Sequence, residues 1–308
     1  MIIKFSSDLS RQEIYANADE LANVMGMDRD KQGKRVYSYP KEKKARVIVF
    51  KNPALVTDAY RIAGLEPTKR DTIFKLFESP IRITEYDEVV FEFEQRKYPG
   101  VWGPNIDTLL FCRALKKMNF SDVKTIVEIG SGSGFITKYF LEKIKAPKLK
   151  EGILVDFNTH AIRCSKDNIN DSRVKFIVGN GVAYTKSKKF DLILCNPPYV
   201  PRPKSVDDNP YEGTGLLKYL KENVIGLLNP KGRIITNISS LCEKEINGIM
   251  KKSGVSARKL DSLVVPLKVL NILNNKKWMN YLLKHGLKKQ RKNGYDYWQK
   301  ITITEIKI

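Results

Sequence analysis

The chain is poor in the residues that most often carry redox, metal and triad chemistry. Its four cysteines, Cys112, Cys164, Cys195 and Cys242, are scattered and form no C-x-x-C pair. That spacing argues against a disulfide framework or a zinc site and fits a reducing, cytoplasmic compartment. Only two histidines occur, His160 and His285. A His-based metal centre or a Ser-His-Asp triad is not expected from so few. No apolar run approaches the ~18 residues of a membrane-spanning helix, so no membrane partner is expected. The opening Met1-Ile2-Ile3-Lys4 lacks the apolar core of a signal peptide. There is no internal repeat and no low-complexity tract.

What the chain has in excess is positive charge. Its 308 residues carry a net charge of +21. Residues 1–100 hold 18 basic and 16 acidic groups, residues 101–240 hold 22 and 13, and residues 241–308 hold 15 and 5. The excess therefore gathers toward the end, where Lys284, Lys288, Lys289, Arg291 and Lys292 precede Tyr295, Tyr297 and Trp298. Such a basic C-terminal surface suits contact with nucleic acid. A solvated, Lys-rich surface accounts for the same residues.

From Thr125 onward, short apolar runs alternate with helical ones. Strands are expected at 125–129, 152–157, 174–178, 190–195 and 233–238, and late strands at 255–264 and 298–308. Helices are expected at 135–144, 159–169, 216–228, 242–253 and 276–284. Asn229-Pro230-Lys231-Gly232 reads as the stop of the fourth-strand helix. This alternation predicts an α/β fold, a Rossmann-like parallel sheet with helices on both faces. Residues 121–308 form the expected catalytic domain, with its basic end. Residues 81–120 form a connecting hairpin and helix. Residues 1–80 form a small α+β accessory domain, with helices at 11–25, 55–63 and 68–77 and a hairpin pairing 35–39 with 46–50.

Two loops carry the chemistry. Gly130-Ser131-Gly132-Ser133-Gly134 leaves the first strand, and glycines there allow a tight turn close to a ligand. The G-x-G-x-G spacing, with Phe135 next, does not match a dinucleotide pyrophosphate site, and no Walker lysine follows. Asp156 ends the second strand, where a carboxylate can accept both ribose hydroxyls of an adenosine. A cap of the next helix, opening near Thr159, is the other reading. Asn180 follows the third strand and can reach an adenine edge or simply make a turn. Asn196-Pro197-Pro198-Tyr199 closes the apolar run 190–195. Its prolines lack N–H donors and stiffen the turn. Asn196 Oδ1 and the Pro197 carbonyl are then placed to accept from a planar NH₂ group, with Tyr199 as an aromatic wall. Alone, the tetrapeptide fits a stiff turn equally well.

Together these residues resemble the class I S-adenosylmethionine-dependent methyltransferases. Within them they resemble the (Asn/Asp)-Pro-Pro-(Tyr/Phe) branch, which methylates nitrogens conjugated to a π-system. Tyr98–Leu110, Tyr211–Leu216 and Ile81–Phe93 are most similar to segments of the N5-glutamine methyltransferases of release factors. The resemblance covers about residues 81–240. Asn105-Ile106 stands where that family has Arg-Pro, and Asn180 where it has Asp.

The resemblance implies S-adenosyl-L-methionine as cofactor. It implies that Gly130, Gly132 and Gly134 line the methionine part, Asp156 holds the ribose and Asn180 touches adenine. Glu128 would orient the glycine loop, or equally make a structural hydrogen bond to it. Thr108 would lie near the methionine end, or serve as a helix N-cap. Asn196 also borders the cofactor, and Asn196, Pro197 and Tyr199 form the acceptor site. The implied substrate is a glutamine of a protein such as a translation factor. An RNA base, at guanine N2 or adenine N6, is the second reading, and a non-catalytic cofactor-binding scaffold the third.

Overall fold

The computed structural model describes residues 82–93, 97–203, 213–253, 255–267, 270–273, 275–292 and 295–307, with four short strands nearer the start. Those are β1 (Ile2–Lys4), β2 (Met27–Arg29), β3 (Arg35–Tyr37) and β4 (Arg46–Ile48). β3 pairs antiparallel with β2, and β4 pairs parallel with β1. The hairpin expected between 35–39 and 46–50 is therefore replaced by two separate pairings. Local alternation marks a strand but does not choose its partner. The helices expected at 11–25, 55–63 and 68–77 lie outside the described residues.

β5 (Arg82–Tyr86) and β6 (Val89–Phe93) form the connecting hairpin. Asp87 and Glu88 turn it with φ of 51° and 67°. Both angles positive is the two-residue geometry that matches the twist of paired strands. Asp87 is held there by Lys116 and by the Tyr139 hydroxyl, at 2.8 Å each. Phe91 packs edge-on against Phe135, with ring centroids 5.5 Å apart.

The central sheet contains β7 (Thr125–Ile129), β8 (Glu151–Asp156), β9 (Val174–Val178), β10 (Phe190–Cys195), β11 (Leu228–Ser239), β12 (Ser256–Pro266), β13 (Lys288–Lys292) and β14 (Tyr295–Lys307). Its order is β12-β14-β11-β10-β7-β8-β9, with β13 beside β14. β7 to β11 run parallel, and β14 is antiparallel to both β11 and β12. From β7 the chain winds outward through β8 and β9, then returns to lay β10 on the other side of β7. The gap between β7 and β10 is thus the switch point, where open α/β sheets bind ligands at the carboxyl ends of their strands.

β10 is apolar on both faces because both are covered. Leu192 and Leu194 join Ile126, Ile235, Leu109 and Leu110 on one face. Ile193 and Cys195 join Val127, Ile234 and Leu220 on the other. Each such side chain stabilises the fold by about 1.5–3 kcal/mol.

Among the helices of five residues or more in the described parts are α1 (Ile106–Leu115), α2 (Phe135–Lys143), α3 (Thr159–Asn168), α4 (Gly181–Thr185), α5 (Gly215–Glu222), α6 (Glu243–Ser253) and α7 (Lys276–Lys284). The expected helix 216–228 is broken at Asn223, and Asn229–Gly232 lies inside β11 rather than ending a helix. The pairing jumps from Phe190↔Leu228 to Leu192↔Arg233, so those four residues bulge from the ladder. The basic stretch after Lys284 contains a further strand, β13, which went unrecognised because its residues are almost all charged. No helix among the described residues is long and apolar enough to cross a membrane.

Candidate active site

The site is assembled where β7, β8, β9 and β10 end. After β7, Gly130, Gly132 and Gly134 have φ of 64°, 53° and 79°. Side chains with a Cβ rarely tolerate that region. Gly134 has a second constraint, since a Cβ there would lie 2.5 Å from Ser165 Oγ and 2.9 Å from Ser165 Cβ. α3 therefore packs directly on the entrance of α2. The loop is tied to β8 by Gly132 N–H, which donates to Asp156 Oδ2 at 2.9 Å. Asp156 Oδ1 accepts from Asn158 N–H at 2.8 Å. Burial raises the Asp156 pKa, against these hydrogen bonds that lower it. The cap of α3 is Asn158, whose side chain accepts from His160 N–H, so the reading of Asp156 as that cap is not what the fold uses.

Glu128 is buried in β7 and accepts from the Thr137 amide at 3.1 Å and the Thr137 hydroxyl at 2.5 Å. It thereby clamps the first turn of α2 to the strand, the structural role open to it in the sequence. Burial raises its pKa to about 8 despite those two bonds. Asn180 caps α4, its Oδ1 accepting from Val182 and Ala183 N–H at 2.9 and 3.2 Å. Only its NH₂ is then left to offer a ligand.

Thr108 is not an N-cap. Asn105 caps α1, accepting from Asp107 N–H at 3.2 Å, and Thr108 Oγ1 accepts from Asn105 N–H at 3.3 Å. This reciprocal capping fixes the first turn of the helix. The last turn is pinned by Arg113, whose two nitrogens donate to Asp261 of β12 at 2.8 and 2.9 Å. Asp107 is thus held rigidly at the buried start of α1.

Asn196 follows β10, whose end is joined to that of β7 by Cys195 Sγ donating to the Ile129 carbonyl at 3.2 Å. Asn196 Nδ2 donates to Asp107 Oδ2 at 3.0 Å. A carboxylate only accepts, so Asp107 dictates which way the Asn196 amide faces. Asn196 Oδ1 is left buried, with no hydrogen-bond partner among the described residues. The half-buried Tyr199 hydroxyl also hydrogen-bonds Asp107. Its withdrawal from water and the Asp107 charge hold that phenol well above its ordinary pKa. One carboxylate therefore holds both polar side chains of the motif.

The fold thus brings Gly130, Gly132 and Asp156 together, and Asp107, Asn196 and Tyr199 together, on adjoining strand ends. Asn180 sits at the far strand end, away from the acceptor motif. Four residues at these ends escaped sequence reasoning as site residues. Asp107 was visible beside Thr108, but nothing local tied it to Asn196, which is 89 positions away. Phe157 and Val178, 48% and 52% exposed, flank the ends of β8 and β9 as apolar surfaces. The Ser131 hydroxyl is buried in the glycine loop without a partner among the described residues.

These features fit S-adenosylmethionine. The Phe157–Val178 surface suits an adenine, Asp156 a ribose, and the loop of Ser131 and the glycines a methionine tail.

The methyltransferase small domain model matches residues 97–210. A candidate protein N5-glutamine methyltransferase of Methanocaldococcus jannaschii is 28% identical over 58% of this chain and 92% of its own length. The release factor glutamine methyltransferase of Aquifex aeolicus is 38% identical over 33% of this chain and 37% of its own. Among solved structures, the M. jannaschii tRNA m1G37 methyltransferase aligns with a TM-score of 0.45 and 13% identity, over 74% of this chain and 57% of that one. The glycine loop, Asp156 and the Asn-Pro-Pro-Tyr turn on this sheet, with the domain and relatives matched, make the chain an S-adenosyl-L-methionine-dependent methyltransferase of class I fold, close to the N5-glutamine methyltransferases.

Proposed function

We propose that the chain methylates the side-chain amide nitrogen of a glutamine in a protein substrate. The observation that carries this reading is the Asp107–Asn196 bond, which leaves Asn196 Oδ1 as a fixed, buried acceptor beside the cofactor loop. The relatives that act on release factors support it. S-adenosylmethionine, when bound, supplies an already activated methyl group.

The residues present would then position and polarise. Gly130, Gly132, Gly134, Ser131 and Asp156 hold the cofactor, Asn180 offers its NH₂ to the adenine, Thr108 lies near the methionine end, and Glu128 holds the helix that follows the glycine loop. Asn196 Oδ1 and the Pro197 carbonyl accept from the substrate NH₂. An amide nitrogen is a poor nucleophile because its lone pair is delocalised. Two acceptors, with the Asp107 carboxylate behind them, favour the positive charge that grows on the nitrogen during attack. No strong base is needed, since the cationic product nitrogen readily loses its proton. Tyr199, fixed by Asp107, walls the substrate amide. Residues 1–80 are assigned to substrate recognition.

RNA methylation, at guanine N2 or adenine N6, is the second reading, and one feature favours it. Trp278 Nε1 donates to the Pro201 carbonyl at 2.9 Å, fastening α7 to the chain just after the acceptor motif. Lys276, Lys277, Lys284, Lys288, Lys289 and Arg291 are exposed on α7 and β13. A polyanion on that surface would lie beside the site.

Labelled S-adenosylmethionine, incubated separately with purified cell protein and cell RNA, decides between them. Label on glutamine in the protein pool is expected. Protease-resistant label in the RNA pool alone would sink the glutamine reading.

A further inference from the structure

Two side-chain amides adjoin at the carboxyl end of the sheet, and the mechanism above uses only one. Asn237 of β11 is fully buried, and neither its Oδ1 nor its Nδ2 has a hydrogen-bond partner among the described residues. β10 and β11 pair Cys195 with Thr236, so one step further along the parallel register Asn196 adjoins Asn237. Strand alternation sets the face. Leu194 and Ile235 lie in the cluster with Leu109 of α1 and the partly buried Tyr199, whereas Cys195 and Ile234 lie in the opposite one. Asn237 therefore points to the same side as Ile235, the side of α1 and Asp107.

Burying an amide without partners is costly, and such groups in a folded protein call for an explanation. A general shortage of partners at this strand end is not the explanation. Ser239, two residues on and on the same face, has its hydroxyl donating to Gln299 Oε1 at 2.6 Å. On this face of the strand end the deficit includes Asn237 and the neighbouring Asn196 Oδ1, while Thr236 Oγ1 lacks a partner on the opposite face. A carboxamide has the complementary groups, an NH₂ that donates and a carbonyl oxygen that accepts. Asn196 Oδ1 and Asn237 Oδ1 both accept, and Asn237 Nδ2 donates.

We infer that Asn237 is a specificity-determining residue of the acceptor site, its Nδ2 donating to the carbonyl oxygen of the substrate glutamine while Asn196 accepts from the NH₂. The assignment rests on the glutamine reading. Because the two residues adjoin across β10 and β11, an amide held by Asn196 lies about one strand spacing from Asn237. A bond to the carbonyl oxygen does not strengthen as charge grows on nitrogen. Asn237 therefore contributes to binding the acceptor and not to the rate of transfer once it is bound.

The test titrates nucleic-acid-free cell protein as methyl acceptor, with tritiated S-adenosylmethionine, against the full chain and two variants. Asn237→Leu removes the amide at nearly constant volume. It is expected to raise the half-saturating acceptor concentration roughly 10-fold, with the plateau rate within about 3-fold, cofactor affinity unchanged and Tm equal or higher. Asn237→Met removes the donor with a more adaptable apolar side chain. It is expected to give the same rise, and it stands in should the leucine variant not fold. An unchanged half-saturating concentration in a folded variant overturns the assignment, as does lost cofactor binding or a fall in plateau rate alone. The wild-type arm is read first. If it leaves protein unlabelled and labels purified cell RNA offered in a parallel assay, the glutamine reading fails and takes this assignment with it, whereas labelled protein with unaffected variants overturns Asn237 alone.

Discussion

Asn196 Nδ2 lies 3.0 Å from Asp107 Oδ2, across the gap between the end of β10 and the first turn of α1. An asparagine amide can turn over and exchange its oxygen and nitrogen. With an obligate acceptor on one side, only one orientation keeps its hydrogen bond. The orientation of the Asn196 amide is therefore set by Asp107.

Asp107→Ala releases that amide and strips Tyr199 of its partner. The lost charged hydrogen bond is worth about 1.5–3 kcal/mol, so the plateau rate of methyl transfer is expected to fall roughly 10–100-fold. Cofactor affinity, measured by calorimetry, should stay within about 2-fold. Asp107→Asn retains one acceptor oxygen for Asn196 and should recover part of the rate. Equal loss in both variants would assign the effect to charge and not to orientation.

Asn196→Ala removes the acceptor itself. A drop of about 10²–10³-fold in the transfer rate is expected, the scale seen when one preorganised polar group is removed from a reacting centre. Binding of S-adenosylmethionine should weaken only modestly. Turnover at the wild-type rate would refute the acceptor role.

Gly134→Ala places a Cβ at φ of 79° and 2.5 Å from Ser165 Oγ. Backbone strain and overpacking each cost about 1–3 kcal/mol. Thermal unfolding should show a Tm lowered by several degrees, and cofactor binding should be lost before folding is. Gly134→Ala with Ser165→Ala should recover part of the Tm, because the second change removes the colliding oxygen.

Glu128 makes stability depend on pH in a direction opposite to most carboxylates. Its folded pKa is raised from 4.5 to about 8, chiefly by burial. Between those two values the folded state binds more protons than the unfolded chain. Stability is therefore highest below about pH 4.5 with respect to this group and declines as pH rises toward 8. Glu128→Gln, which can still accept from Thr137, should flatten that slope in denaturant titrations run from pH 5 to 8. An identical slope in the variant would show that other groups cause it.

β7, β8 and β10 were legible in the sequence because they are covered on both faces and read as nearly unbroken apolar runs, and β9 because its short apolar stretch stands between turn residues. β13 was not, because Lys288, Lys289 and Arg291 follow a surface preference and carry no pairing signal. The break at Asn223 and the bulge at Asn229–Gly232 were missed for a related reason. Each residue there is compatible with a helix end, and only the register of β10 against β11 makes the segment part of a strand.

The chemistry of the site was written locally. A glycine loop after one strand, an acid after the next and Asn196-Pro197-Pro198-Tyr199 after the fourth each depend on residues close in sequence, where backbone conformation is decided by neighbours. Orientation was not local. Whether Asn196 presents its oxygen depends on Asp107, whether Glu128 is charged depends on how deeply β7 is buried, and whether Asn237 adjoins the site depends on the pairing of β10 with β11. These are contacts between segments far apart along the chain, and only packing brings them within hydrogen-bond range.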